Sequence, residues 1–217
     1  MADFKIVISD PKAPKEEVVV KVKVVGDSEI EYTDEVKEGF ELPILKMNSK
    51  TAEKIKAIHG VATIRIYKPE TKDKVKITGK IVIDDNIPEN EVRVSANQLI
   101  NTVGTNEIEG ELFRARAWQI RINDDRTKRI IGLRIGDSFD GSLVGLKNVS
   151  LVIRGGTDNS GFPMRPDIHG GVKKRVLLSG PPGFHPREKG ERRRKMIRGN
   201  MITEDIVQIN TVIKYEQ

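Results

Sequence analysis

The sequence predicts a mainly β protein with about ten short strands and little helix. Short runs rich in valine and isoleucine recur along the chain and stop at Gly, Pro, Asn or Asp, as strands and their turns do. Few stretches show the apolar spacing of a helix. A third observation concerns residues 165–200, where Gly and Pro recur, so extended pieces joined by turns are expected there.

The N-terminal part of the chain predicts two strands. Phe4–Ile8 alternates between apolar and polar residues and ends at Asp10-Pro11, which favours a turn. A second β-branched run, Val18–Val24, is stopped by Gly26-Asp27. Residues 27–43 are acidic and weakly patterned, so no element is predicted for them.

Two similar strand–helix–strand patterns occupy residues 44–67 and 91–113. In the second pattern, Ser95 and Gln98 have the spacing of a capping box, which predicts the start of a helix. Residues 74–84 between the copies predict either a strand pair or one long strand. The duplication resembles the halves of a double-psi β-barrel, and an ordinary β-rich α+β module fits the pattern equally well.

The C-terminal half predicts four strands, at Trp118–Ile122, Val149–Ile153, Lys173–Ser179 and Ile206–Tyr215. Arg126–Ile131 predicts one helical turn. Gly155–Met164 is rich in Gly, Asn, Ser and Pro, which favours turns throughout. Glu191–Arg198 fits either a strand or a helix, because six of its eight residues are charged.

Positive charge is concentrated in one stretch, residues 165–200, which we call the basic segment. It holds eleven Lys or Arg against three Asp or Glu, a net charge of +8, whereas the whole chain carries +6. Such a concentration is typical of proteins that bind nucleic acids. We expect the cations to contact mainly phosphate, which positions a protein without reading base sequence. The predicted RNA contacts are Arg165, Lys173, Lys174, Arg175, Arg187, Lys189, Arg192, Arg193, Arg194, Lys195 and Arg198.

Aromatic side chains and histidines are interleaved with these cations. Phe162, Phe184, His169 and His185 are candidates for stacking on RNA bases. For the two phenylalanines, a second interpretation is equally supported, namely that they anchor turns to the hydrophobic core.

The glycine-rich stretch Gly155–Gly161 raises the question of a phosphate-binding loop. A nucleotide P-loop requires Lys followed by Ser or Thr after its last glycine, and here Phe162-Pro163 follows. The stretch therefore predicts a tight turn whose exposed amides could add contacts to an RNA backbone.

Nothing in the sequence predicts an enzyme, a cofactor or a metal site. The chain has no cysteine, which excludes disulfides and thiolate chemistry. His59, His169 and His185 are far apart, and Asp84-Asp85 and Asp124-Asp125 follow strands, where Asp favours turns. No secretory signal and no apolar run of about 18 residues is visible. We therefore expect a soluble cytoplasmic protein with no membrane partner and no small-molecule substrate.

Several stretches resemble one family: Arg154–Arg165, Leu177–Ser179, Gly190–Lys195, Arg198–Asn200, Ile135–Asp137, Gly141–Leu146 and the ending Glu204–Thr211, which has the archaeal style. They are similar to ribosomal protein S6e of the archaeal and eukaryotic small subunit, over about residues 4–11 and 117–217. The resemblance implies a small β-barrel-like core that is a structural constituent of the small ribosomal subunit. It also implies binding to ribosomal RNA beside neighbouring ribosomal proteins.

The resemblance leaves residues 12–115 without a counterpart, because typical archaeal members are expected to have a short turn there. We interpret residues 12–115 as a β-rich module inserted into a core formed by residues 1–11 and 116–217. Strands Phe4–Ile8 and Trp118–Ile122 would then be neighbours. Two alternatives remain: a free RNA-binding translation or ribosome-assembly factor, and an RNA-processing enzyme whose catalytic module is the insert.

Overall fold

The computed structural model describes residues 2–13, 18–68 and 73–215 and confirms the predicted mainly β class. The chain divides into two compact units. The first unit comprises Met1–Pro11 and Gln119–Gln217, and the second comprises Lys12–Trp118. The sequence places the second boundary three residues earlier, at Ala115. Whether the second unit folds by itself stays a prediction.

The strands, in chain order, are β1 (Phe4–Ser9), β2 (Val20–Asp27), β3 (Ile44–Met47), β4 (Val61–Tyr67), β5 (Lys74–Ile83), β6 (Glu91–Ser95), β7 (Glu107–Arg114), β8 (Ala117–Ile122), β9 (Ser138–Asp140), β10 (Ser150–Asp158), β11 (Lys173–Leu178), β12 (Arg193–Arg198) and β13 (Ile206–Lys214). The α-helices are α1 (Asp34–Glu38), α2 (Ser49–Lys54) and α3 (Ala96–Val103). Short 3-10 helices span Asp125–Arg129 and Gly141–Val144.

The described residues of the first unit form a five-stranded sheet with the order β8-β1-β13-β10-β9, and not the small β-barrel-like core that the resemblance implies for this unit. Strand β1 pairs in parallel with β13, which in turn pairs antiparallel with β10. The neighbouring positions of β1 and β8 are those that the sequence predicts. Phe4, Ile6 and Ile8 alternate with exposed or half-buried residues and are fully buried, which places the core on one face of the sheet.

Strand β10 extends five residues beyond the predicted end at Ile153. The ladder with β13 shifts between Ile153 and Gly155, so a bulge carries the strand through its glycines. A Cβ on Gly156 would lie 2.5 Å from the Gln208 carbonyl oxygen and 2.9 Å from Met164 Sδ. Glycine is therefore needed here for close packing rather than for a turn. The prediction of a turn beginning at Gly155 is wrong.

Six strands of the second unit close into a barrel in the order β2-β6-β3-β5-β4-β7. The pairs β2–β6 and β3–β5 are parallel, and the other four are antiparallel. The pairing pattern has an internal two-fold symmetry. If β2 is interchanged with β5, β3 with β6 and β4 with β7, the same six strand pairs result. The barrel therefore consists of two equivalent β–β–α–β halves, in which α2 and α3 occupy corresponding places.

The barrel has a core drawn from its own strands and helices. Alternate strand residues point inward, as the period of two in a strand requires. The buried cluster contains Val22, Val24, Leu45, Met47, Ile55, Ala62, Ile64, Ile66, Ile77, Val92, Val94, Leu99 and Leu112. Residues 74–84, for which the sequence leaves two possibilities, form the single strand β5.

Helix α3 starts where the sequence predicts, but the capping box does not form. Ser95 makes no side-chain cap hydrogen bond. Ser95 Oγ and Gln98 Oε1 are both buried without a hydrogen-bond partner among the described residues. Ser95 is also the last residue of β6 and pairs with Asp27 of β2, so the sheet sets its backbone conformation. The capping-box prediction is wrong for this reason.

Candidate nucleic-acid interface

The basic segment contains a two-stranded antiparallel sheet formed by β11 and β12. Glu191–Arg198, which fits a strand or a helix by sequence, thus contributes a strand. Directly opposite residues include Lys174 and Ile197, and Leu177 and Arg194. Because opposite residues in an antiparallel pair project from the same side, this register defines two faces.

The packed face carries a small hydrophobic core. Leu178 and Ile197 are buried together with Phe184, and Val176 and Ile168 pack against them. Phe184 is 7% exposed. The predicted stacking role of Phe184 on RNA is therefore wrong, and its other interpretation, an anchor for the turn, is correct. Arg193 and Lys195 also belong to this face, at exposed positions.

The open face projects the alternate residues of the two strands. Arg175 and Arg194 are exposed, and Leu177 between them is 53% exposed. Lys173 Nζ lies 4.8 Å from the centre of the Phe162 ring, a cation–π distance. The half-buried Phe162 ring thus already contacts one cation of its own chain.

Arg198 does not have the predicted role of an RNA contact. Its side chain is 7% exposed, and its Nη2 and Nε atoms lie 2.5 Å from Asp205 Oδ2 and 3.1 Å from Asp158 Oδ2. The guanidinium also donates to the Gly171 carbonyl at 3.4 Å. A buried cation requires such partners to offset its lost hydration. Arg198 is therefore part of the internal framework of the basic segment.

The amides of the glycine-rich stretch also face inward. Ser160 N and Phe162 N donate to Asp158 Oδ1 at 2.9 and 2.8 Å. Burial raises the pKa of the Asp158 carboxyl, but these amides and Arg198 outweigh it, so the pKa lies below its ordinary value. Because an internal carboxylate occupies the two amides, the expectation that they contact an RNA backbone is wrong.

Three further predicted contacts already pair with carboxylates. Lys173 Nζ lies 3.6 Å from Asp158 Oδ2. Arg165 is half-buried, and its Nε donates to Asp167 Oδ1 at 2.8 Å, which lowers the pKa of Asp167. Arg165 Nη1 donates to the Pro182 carbonyl at 2.9 Å, so this side chain links two loops. Arg193 Nε lies 2.7 Å from Glu191 Oε1 but remains largely exposed.

The other predicted cations are exposed. None of their side chains has an ion-pair partner among the described residues. This set, which we call the free cations, consists of Lys174, Arg175, Arg187, Lys189, Arg192, Arg194 and Lys195. His169 and His185 are exposed beside them. The sequence selects all eleven cations of the basic segment as candidate contacts. The fold then shows which of them are already held in ion pairs.

Residues 2–13, 18–68 and 73–215 contain no group of three or more His, Asp or Glu that could hold a metal ion. Asp84 Oδ1 accepts from the Asn86 amide, and Asp124 Oδ1 from the Arg126 amide, so both carboxylates serve turns. Among those same residues, no helix is long and apolar enough to span a membrane.

Comparisons with known proteins identify relatives over the full length. A family model described as ribosomal protein S6e matches residues 111–217. The small ribosomal subunit protein eS6 of Staphylothermus marinus is 86% identical, with 99% of this chain and 100% of the relative covered. The eS6 proteins of Hyperthermus butylicus and Saccharolobus islandicus are 60% and 46% identical, with 99% and 98% of this chain and 98% and 99% of the relative covered. A rationally designed protein, mkDPBB_sym1, shows 15% identity and a TM-score of 0.30, with 45% of this chain and 99% of that chain covered.

These coverages correct one expectation from the sequence. The three relatives align along 98–100% of their own lengths, so they too contain the stretch that corresponds to residues 12–115. A short turn at that place is therefore not typical of these archaeal proteins.

Proposed function

This chain belongs to the ribosomal protein S6e family, and we propose that it binds ribosomal RNA through the free cations of the basic segment and the exposed Arg193. It is a structural constituent of the small ribosomal subunit, a class of protein that is not an enzyme. Its place in the ribosome, and hence in the cytoplasm, implies contacts with neighbouring ribosomal proteins. The named relatives are small-subunit proteins, so a free translation or assembly factor is not favoured.

The observation that supports RNA binding is the placement of the free cations. The chain folds Arg198 and Arg165 into ion pairs and leaves Lys174, Arg175 and Arg194 exposed on the β11–β12 sheet. Cations without internal partners gain most from a polyanion, because binding phosphate releases counterions. The glycines and prolines of the intervening loop allow the backbone to follow an irregular phosphate surface.

The proposal is tested by changing Arg192, Arg193 and Arg194 together to Ala and measuring RNA affinity as a function of salt. Each lost phosphate contact flattens the log–log salt slope by about 0.9 on a duplex backbone, so a decrease of roughly 2 to 3 is expected. Affinity should fall equally for unrelated RNAs, because phosphate contacts carry no base information.

A matched control replaces three exposed lysines of β5, Lys74, Lys76 and Lys80, with Ala. It removes the same charge from the second unit and should leave the salt slope unchanged. Equal slopes in the wild type and the arginine variant would refute the assignment. Retention of the full chain on the small subunit through a high-salt wash would separate a structural constituent from a free factor.

A further inference from the structure

A small cavity lies on the packed face of the β11–β12 sheet, between β12 and the loop that precedes it. Its volume is about 230 Å³, and its walls include His185, Arg187, Glu191, Arg193 and Lys195. The register of the sheet independently places Arg193 and Lys195 on this face and Arg194 on the opposite one. The cavity therefore lies on the side of β12 that carries Arg193 and Lys195.

Glu191 organises the cationic wall of the cavity. Its Oε2 atom accepts from the Arg187 amide at 2.7 Å, and its Oε1 atom lies 2.7 Å from Arg193 Nε. The Arg187 amide and the charge of Arg193 hold the pKa of Glu191 below its ordinary value. Both carboxylate oxygens are thus engaged. Arg193 is oriented through Nε, which leaves its two terminal nitrogens to donate to a ligand.

The floor of the cavity is rigid. Phe184 lines it and is itself packed against Leu178 and Ile197. Gly183, also in the lining, has φ of +99°, and a Cβ there would lie 3.1 Å from Pro163 Cγ. Glycine is therefore required for both its conformation and its close approach. A fixed floor lowers the entropy that a ligand must remove on binding.

We propose that this cavity receives one phosphate group of the RNA backbone, held by Arg193 and Lys195 from β12 and by Arg187 from the loop. These three side chains carry three positive charges, and Glu191 carries one negative charge. The cavity therefore keeps a net positive charge that attracts a monoanionic phosphodiester. The volume lies below the roughly 300 Å³ at which small-molecule pockets begin, which favours a single phosphate over a whole nucleotide. This inference rests on the proposed RNA binding and specifies one of its contacts.

Arg193 and Arg194 provide the test, because they are adjacent, equally charged and on opposite faces. The full-length chain is titrated with dimethyl phosphate, a soluble phosphodiester, with inorganic phosphate in parallel, and its nitrogen–proton resonances are followed by NMR. Saturable shifts are expected at Arg187, Arg193 and Lys195 with both probes. They should weaken at least tenfold in Arg193→Ala and Lys195→Ala and persist in Arg194→Ala. Shifts confined to inorganic phosphate, absent shifts, or an equal loss in Arg194→Ala would overturn the proposal.

Binding to duplex RNA separates this inference from the proposed function. If Arg193 and Lys195 hold the same phosphate, their Ala substitutions should be non-additive, so that the double variant loses less affinity than the two single losses predict. Arg193→Ala and Arg194→Ala should combine additively. Additive losses for both pairs would reject the shared phosphate but retain RNA binding. No change in the salt slope for any of these variants would reject RNA binding by this sheet altogether.

Discussion

Arg198 Nε lies 3.1 Å from Asp158 Oδ2, and this contact joins the end of β12 to the end of β10. Both groups are buried, and the Phe162 and Ser160 amides bind the other oxygen of the carboxylate. The backbone amide of Arg198 also donates to the Pro163 carbonyl at 2.9 Å. Asp158 therefore connects the glycine-rich stretch with β12, a strand of the basic segment.

Replacing Asp158 with Ala should destabilise the first unit by about 3 kcal/mol, because the buried Arg198 guanidinium then keeps one carboxylate partner, Asp205, besides the Gly171 carbonyl. Replacing Asp205, whose side chain is 59% exposed, should cost about 1 kcal/mol or less. Urea unfolding monitored by circular dichroism gives both values. Equal losses in the two variants would show that burial of Asp158 does not control the energy of the ion-pair network.

Lowering the pH should weaken the ion pair between Asp158 and Arg198. The pKa of Asp158 is lowered in the folded protein, so its stabilising contribution is complete above the unfolded value of about 3.9 and is lost as pH falls through the folded pKa. The difference in unfolding free energy between the wild type and Asp158→Asn should therefore be constant near neutral pH and shrink below about pH 4. A difference independent of pH down to 3 would contradict this assignment.

The parts of the fold that depend on local patterns are predictable from the sequence. Trp118–Ile122 predicts a strand that ends at the same residue as β8 and begins one residue later, because turn-forming Asn and Asp residues follow an alternating run. Helix α1 is not predicted, since its five residues contain one apolar side chain and no buried one. Its start depends on Thr33 Oγ1 accepting from the Val36 amide, and its end on Gly39 at φ of +84°.

The predictions for individual site residues are wrong where the residues that contact them are distant in sequence. Arg198 and Asp158 are forty residues apart, and local charge counting cannot reveal that one neutralises the other. Phe184 is similar, because its neighbours Leu178 and Ile197 come from two strands whose pairing the sequence leaves open. A sequence signal for Arg198 was available, because Met196-Ile197 separates it from the run of cations Arg192–Lys195.

Gly199 should tolerate no side chain. A Cβ at this position would lie 1.9 Å from the Gly170 carbonyl oxygen, which is backbone and cannot rotate away. We expect Gly199→Ala to destabilise the first unit by roughly 3 kcal/mol or more, at or beyond the usual cost of overpacking. Thermal unfolding of the purified protein measures the loss.

Gly155 provides the matched control for this substitution. It lies in β10 with no atom within 4 Å of a built Cβ and without a positive φ. Gly155→Ala should therefore be neutral, or stabilising by about 0.5 kcal/mol, because alanine has less freedom to lose on folding. Equal destabilisation by both substitutions would indicate that steric contact is not the cause.

The second unit should be dispensable for the folding of the first. Replacing Lys12–Ala115 with a short glycine-containing loop keeps β1 and β8, which are neighbours in the sheet. Loop closure costs only about 0.6 kcal/mol per doubling of length, so a shorter connection does not destabilise. The shortened protein should unfold cooperatively, give a β-type circular dichroism spectrum and bind RNA with the wild-type salt slope.

The complementary fragment, Lys12–Trp118, should also fold alone. Its six strands close into a barrel without free edges, and its buried cluster comes from its own residues. Dispersed NMR amide resonances from this fragment would support two independent units. If either piece is unfolded while the full chain is stable, the two units share folding energy, and the division of the chain is not one of independent domains. If the shortened protein folds and binds RNA but no longer enters the small subunit, the barrel carries a docking surface for another ribosomal component.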